Sequence, residues 1–254
     1  MLPRVAALLF LSAAVLAAPM AHADTIKVLT AGAFKQVVVA LVPAFERSTG
    51  HKVEVQNDTA GGLAKRISGG EPFDVVVVPP SALQPLATQG KVDAASVVPL
   101  AKVAIGVAVK SGAPSPQLET VDQFKQAVLN ARKVAYIDPA AGGSSGIYLD
   151  GLFQRMGIAD AVRAKAVLVP GGLVAERLVN GEADLAIHQI SEILAVSNVT
   201  LVGPLPESIQ NYTTYAGAVS SGAANAEAAK ALLATLAGPQ AAETLRAKGM
   251  TPAR

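Results

Sequence analysis

His188 ends an apolar run, Asp184-Leu185-Ala186-Ile187-His188, and Gln189 follows it. A titratable ring and an amide at the end of a buried strand suit contact with a ligand or transfer of a proton. The same placement suits a histidine satisfied inside a core, and the sequence leaves both readings open. His51, beside Gly50 in a turn, reads as exposed. Neither histidine has Cys, His or carboxylate neighbours at metal-ligand spacing, so no metal centre and no cofactor are predicted. No nucleophilic arrangement emerges: the chain has no cysteine, its glycine-rich turns hold no paired carboxylates, and no Gly-Lys-Ser/Thr follows them. Any reaction here would be proton transfer.

Four strand ends lead into turns of small residues. They are Thr30-Ala31-Gly32-Ala33 with Phe34 next, Asn57 to Gly62 with Ala60 and Gly61, Asp138 to Gly146, and Pro170-Gly171-Gly172. Strand ends that feed helix starts collect unpaired N–H groups and positive dipole ends, a ready place for an anion. One such turn alone signifies only a tight bend; four together point to an anion cleft. In the third, Ser144 and Ser145 stand where an N-cap is expected, and Gly142, Gly143 and Gly146 let backbone approach a ligand. Arg66 and Arg177 lie in helical patterns where each reaches either a carboxylate or solvent. Tyr212 and Tyr215 line the cleft or pack beneath it.

The elements that must position these residues alternate strand and helix. Ile26–Thr30 precedes an amphipathic pattern of Phe34, Val37, Val38, Leu41 and Phe45, and the unit repeats through Lys52–Gln56, Leu63–Ser68, Asp74–Val78 and a helix from Ser81. Lys102–Val109 reads as a long strand leaving a first lobe. A helix at Val121–Ala131, strands at Lys133–Ile137, Ala166–Val169 and Asp184–His188, and a helix at Gly172–Val179 build a second. Asn211–Val219 returns, and Ala-rich helices at Ala223–Leu236 and Pro239–Lys248 close the chain. The prediction is an α/β, two-lobed fold, each lobe a mainly parallel sheet flanked by helices: residues 24–104 with 217–254 form lobe 1, and residues 105–216 form lobe 2.

Residues 1–23 read as a signal peptide: Arg4, an apolar run from Val5 to about Ala18, and an Ala-x-Ala site at Ala21 and Ala23. Export to the periplasm follows, with a mature chain starting at Asp24 and no membrane insertion after processing. With Arg4 set aside, 20 Lys and Arg face 19 Asp and Glu without runs, so no nucleic acid or membrane surface is an expected partner. A monomer is expected.

The segments IKVLTAGAF, GGLAKRISGGEPFDVVV, DPAAGGSSGIY, GEADLAIHQ and LAGPQAAETLRAKGM resemble the periplasmic molybdate-binding proteins of ABC importers, within the type II solute-binding superfamily. The resemblance spans nearly the whole mature chain and implies the type II periplasmic-binding-protein fold, a small anionic ligand and an ABC permease partner. That family holds its oxyanion with serine hydroxyls after the first two strands and a late tyrosine; Ala33, Ala60 and Gln189 stand in those places. The chain is also similar to the periplasmic aconitate isomerases. Two functions are therefore expected in order: capture of an oxyanion or an organic di- or tricarboxylate for import, without catalysis, and alternatively an allylic proton transfer on trans-aconitate. In the first, Ala33, Phe34, Ala60, Gly61, Arg66, Ser144, Ser145, Gly171, Arg177, His188 and Gln189 contact the ligand. In the second, His188 moves the proton while Arg66, Arg177, Ser144 and Ser145 hold the carboxylates.

Overall fold

The computed structural model describes residues 24–253, and the signal-peptide reading of residues 1–23 lies outside them. The chain starts with three strand–helix units: β1 (Thr25–Ala31) and α1 (Gly32–Thr49), β2 (Lys52–Asp58) and α2 (Ala60–Ser68), β3 (Val75–Val78) and α3 (Pro80–Thr88). α1 forms because Phe34, Val37, Val38 and Phe45 recur at helical spacing and are buried together, and it stops at Gly50, whose left-handed φ of 79° lets its N–H reach Glu46 O. β3 is four valines, all buried, as a parallel strand covered on both faces requires.

The long strand β4 (Val98–Lys110) then leaves this half. It begins earlier than its apolar pattern suggests, because Pro99 sits at a register shift where its missing N–H costs no ladder bond. Beyond it come α4 (Val121–Asn130), held at its start by a reciprocal Thr120–Gln123 capping box, then β5 (Val134–Ile137), α5 (Ser144–Arg155), α6 (Ala159–Arg163) and β6 (Ala166–Val169). α7 (Glu176–Val179), β7 (Leu185–Gln189), α8 (Ile190–Ile193) and β8 (Val199–Pro204) complete the second half. β9 (Tyr212–Val219) returns, followed by α9 (Ala226–Ala237), α10 (Pro239–Ala247) and β10 (Met250–Pro252).

Among the described residues the strands form one sheet in the order β2-β1-β3-β9-β4-β7-β5-β6, with β8 and β10 also on β4. The outer strands β1 to β3 and β5 to β7 pair in parallel, while β4 and β9 run antiparallel to their neighbours. β4 joins two separate cores. Val103 packs with Val28, Phe34, Val76 and Leu232. Ile105, two residues on, packs with Phe124, Val134, Phe153 and Ile187. A smaller core of Ala135, Val174, Leu178 and Ile193 covers the other face of the second sheet half. The arrangement is the two-lobed α/β fold expected.

Several elements differ from the sequence reading, the short helices α6 and α8 among them. The helix expected over Gly172–Val179 is only Glu176–Val179, because Gly172 takes φ 84° and starts a turn instead. β8 and β10 were not anticipated, since six and three residues with half-exposed patterns carry little periodicity.

Candidate functional site

Strand ends from both lobes meet around one cavity of about 40 Å³. Because β1 runs directly into α1 and Thr59 alone separates β2 from α2, the first lobe presents Ala31, Gly32 and Ala33 beside Asn57, Asp58 and Thr59. The second presents Gly143, Ser144 and Ser145 from the start of α5, Gly172 from the turn after β6, and His188, Gln189 and Glu192 from β7 and α8. Tyr215 of β9 closes the back, supported by Phe34 with ring centroids 6.1 Å apart.

Three helix starts therefore face one space. α1 and α5 have no side-chain cap, while Thr59 Oγ1 accepts from Gly62 N at 3.0 Å to cap α2. At roughly half a positive charge per helix start, the three bring about one and a half charges to the cavity, and no lysine or arginine lines it. The lobes touch directly at its rim. Gly61 N donates to Gly142 O at 3.1 Å, Thr59 Oγ1 donates to Ala141 O, and Ser191 Oγ donates to Ala33 O at 2.9 Å.

His188 is buried, 1 % exposed, and its Nε2 lies 3.1 Å from Oε2 of Glu192, itself 6 % exposed. Loss of solvent holds the imidazole far below its ordinary range and pushes the carboxyl well above its own, so charge is disfavoured on both. Neither His188 Nδ1 nor Gln189 Oε1, both buried, has a protein hydrogen-bond partner. Buried polar atoms are nearly always satisfied, so these two leave hydrogen-bonding capacity that a guest could use. Gln189 Nε2 is engaged: it donates to Thr213 Oγ1 at 2.8 Å and, more weakly, to Ser144 Oγ at 3.4 Å. Burial, then the nearby Glu192 carboxyl, raises the Tyr215 hydroxyl and keeps it protonated.

Of the sequence-predicted residues, Ala33, Ala60, Ser144, Ser145, His188 and Gln189 line the cavity, and so does Tyr215. Five do not. Phe34 lies behind Tyr215, and Gly61 is spent on the contact with Gly142. Gly171 gives way to its neighbour Gly172. Arg66 and Arg177 are corrections. Arg66 Nε donates to Glu71 Oε2 at 2.6 Å and Nη2 to Gln56 Oε1 at 2.7 Å, with Asp58 a further 3.5 Å partner. Arg177 Nη1 bonds Glu182 at 3.0 Å on the surface. Both pairs sit on the same helix ending, in which the N–H of Glu71 or Glu182 bonds back to the carbonyl of the arginine. That six-to-one bond is the Schellman motif, and the ion pair takes the place of its usual apolar contact.

Other residues fall differently from expectation. Ser144 and Ser145 occupy the first helical turn, with Gly143 as N-cap, which leaves their hydroxyls free of capping. Gly142 to Gly146 spells the G-x-S-x-G letters of a nucleophile elbow, a match the sequence reading missed. Yet Ser144 bonds only weakly, to Gln189 at 3.4 Å and Thr213 at 3.5 Å, neither a general base. Tyr212 is exposed and donates to Glu207. His51 is partly buried, stacked on Phe45 and accepting from Asp24 N. Sequence reasoning overlooked Glu192, although it stands four residues after His188.

The sequence matches the family described as bacterial extracellular solute-binding protein over residues 26–251. It is 37 % identical over 252 residues to an aconitate isomerase from a Pseudomonas species, covering 97 % of this chain and 94 % of that protein. It is 28 % identical over 251 residues to the molybdate-binding protein ModA of Escherichia coli K12, covering 95 % and 94 %. The periplasmic molybdate-binding protein of Azotobacter vinelandii has the same fold, with a TM-score of 0.76 at 21 % identity over 89 % of this chain and 98 % of that one.

Proposed function

The chain belongs to the bacterial extracellular solute-binding protein family, and on that premise we propose that it is an aconitate isomerase. In this reading residues 1–23 are an export leader and the protein works in the periplasm. The observation that carries the proposal is the His188 ring, buried in the cavity wall with Nδ1 unpartnered and Nε2 against Glu192. Holding an inorganic oxyanion requires donors; it does not require a buried base.

The reaction asks little else. A proton leaves the methylene carbon of trans-aconitate, the double bond shifts by one position, and a proton is delivered to the far carbon of the former double bond. The carbanion between these steps is delocalised into a neighbouring carboxylate, and the helix starts of α1, α2 and α5 stabilise that oxygen charge. Ser144, Ser145 and the Tyr215 hydroxyl supply neutral donors that hold the substrate carboxylates. A six-carbon tricarboxylate exceeds the present cavity, so in this reading the cavity walls widen around it while the rim contact of Gly61 with Gly142 is kept. Motion of one lobe against the other is the ordinary mode of such clamps.

Incubation of the protein with trans-aconitate in deuterated water tests the reading. The expected result is cis-aconitate, with deuterium only to the extent that the proton on His188 exchanges with solvent, and with turnover lowered about 10²- to 10⁴-fold in His188→Gln. Binding of trans-aconitate without any cis-aconitate would overturn it.

A second reading, retention of a small oxyanion for delivery to an ABC permease, is favoured by one specific observation. The cavity of about 40 Å³ holds only a few water molecules, at ~10–15 Å³ for each, and so suits a compact guest. Recovery of an unchanged inorganic oxyanion from freshly purified, denatured protein would select it.

A further inference from the structure

We propose that His188 does not work as an isolated base but as a relay, exchanging a proton with the ligand at Nδ1 while passing another to Glu192 at Nε2. The inference rests on the proton-transfer reading of the site and adds Glu192 to it as a positioning residue that acts through His188.

The argument starts from geometry. Nε2 and Oε2 are 3.1 Å apart, within reach of a shared proton, and both side chains are buried. Nδ1, the other ring nitrogen, has no protein partner. An isolated imidazole that took a proton here would become a buried cation, which the site disfavours. With Glu192 alongside, the ring never needs to carry charge. In the base form Glu192 is a carboxylate, Nε2 carries hydrogen and Nδ1 holds a lone pair. When a carbon-bound proton moves to Nδ1, the Nε2 proton moves to Oε2. The ring remains neutral, Glu192 becomes a carboxylic acid, and one negative charge has passed from Glu192 to the substrate carbanion. Delivery of the Nδ1 proton to the other carbon reverses both transfers.

The fold also places Glu192 where its anionic form is tolerable. A Cβ on Gly32 would lie 2.5 Å from Glu192 Oε1, so the missing side chain at the first residue of α1 is what lets the carboxyl reach that helix start. The positive end of an 18-residue helix favours the carboxylate that burial disfavours. The other titratable groups facing the cavity are Tyr215 from β9 and Asp58 from the end of β2, the latter held by Arg66.

The test uses the full mature chain labelled with ¹⁵N-histidine. His51 and His188 are its two histidines, and a His51→Gln variant assigns the signals. The expected result is a His188 ring that stays neutral between about pH 5 and 8 while its hydrogen moves from Nδ1 to Nε2 as the pH rises. In Glu192→Gln that exchange of tautomers disappears. Turnover of trans-aconitate in Glu192→Gln falls about 10²-fold or more with KM little changed, and Glu192→Asp restores part of it. An imidazolium signal in the wild-type protein overturns the relay, as does a Glu192→Gln variant that keeps the tautomer exchange. If the wild-type protein turns over no aconitate, the isomerase reading fails, and the tautomer measurement still decides the relay.

Discussion

Replacing Gly61 with alanine separates lobe closure from fold stability, because the two respond with opposite sign. A Cβ at Gly61 would lie 2.9 Å from Gly142 Cα, 3.2 Å from Gly142 O and 3.5 Å from Gly142 C. Carbon atoms at rest sit about 3.5–4.0 Å apart, so the lobes must separate by several tenths of an ångström or the backbone must strain. Overpacking of this kind costs about 1–3 kcal/mol, and only in the closed arrangement. Within α2 itself the change is favourable, since alanine replaces glycine in a helix at a gain of up to about 1 kcal/mol. Calorimetric titration with trans-aconitate should therefore show affinity about 5- to 150-fold weaker, the coupling that corresponds to 1–3 kcal/mol. Ligand-free thermal unfolding should be unchanged or raised by up to about 2–4 °C. Gly171→Ala is the control: a Cβ there meets nothing within 4 Å, and it should alter neither quantity. A Gly61→Ala protein that binds as tightly as the wild type would refute the claim that these backbones touch in the liganded state.

Ser144→Ala removes a hydroxyl from the cavity wall and should weaken ligand binding by about 0.5–1.5 kcal/mol, whereas Arg177→Ala, which breaks only a surface pair, should leave binding as it was; titration of both variants checks the contrast. Glu71 is held down to about 2 by hydrogen bonds from Arg66 and then Lys27. Its stabilisation is present above the ordinary value of 4.5 and lost as the pH falls toward 2, so denaturant midpoints of wild type and Glu71→Gln should differ above pH 4.5 and converge near pH 2. Glu192 is shifted upward from 4.5, which reverses the sign: the folded protein holds a proton that the unfolded chain releases, and stability falls as the pH rises. Urea unfolding should show wild type losing ground to Glu192→Gln between about pH 5 and 8, and a constant difference would mean the carboxyl is ionised throughout.

Much of the fold is legible because its strands and helices are long or uniformly apolar. Val75 to Val78 can only be a doubly covered strand, and Phe34, Val37, Val38 and Phe45 trace one face of a helix. The missed strands have a common cause. Three-residue β10 and half-exposed β8 are set by their pairing with β4, and no local pattern encodes such a partner.

The site divides along a different line, between residues picked for their type and residues picked for their position. Arg66 and Arg177 are cations of a type suited to an anion, yet both are neutralised by a glutamate five residues on, across a glycine in the left-handed region. The spacing Arg66 to Glu71, with Gly70 between, and Arg177 to Glu182, with Gly181 between, carried that information. Glu192 went unnoticed for the complementary reason: His188 lies in a strand and Glu192 sits in a helix, so neither a period of 2.0 nor one of 3.6 relates them. Ala33, Ala60, Ser144, Ser145, His188 and Gln189 stand at strand ends and helix starts, and they line one cavity. A buried, unpaired charge is costly, so the cavity is lined mainly with dipoles and neutral donors while Arg66 and Arg177 are paired elsewhere. His188 and Glu192 obey the same constraint. The ring avoids charge by passing its proton to the carboxyl, and a pair poised in that way can give or take a proton without leaving a buried imidazolium behind.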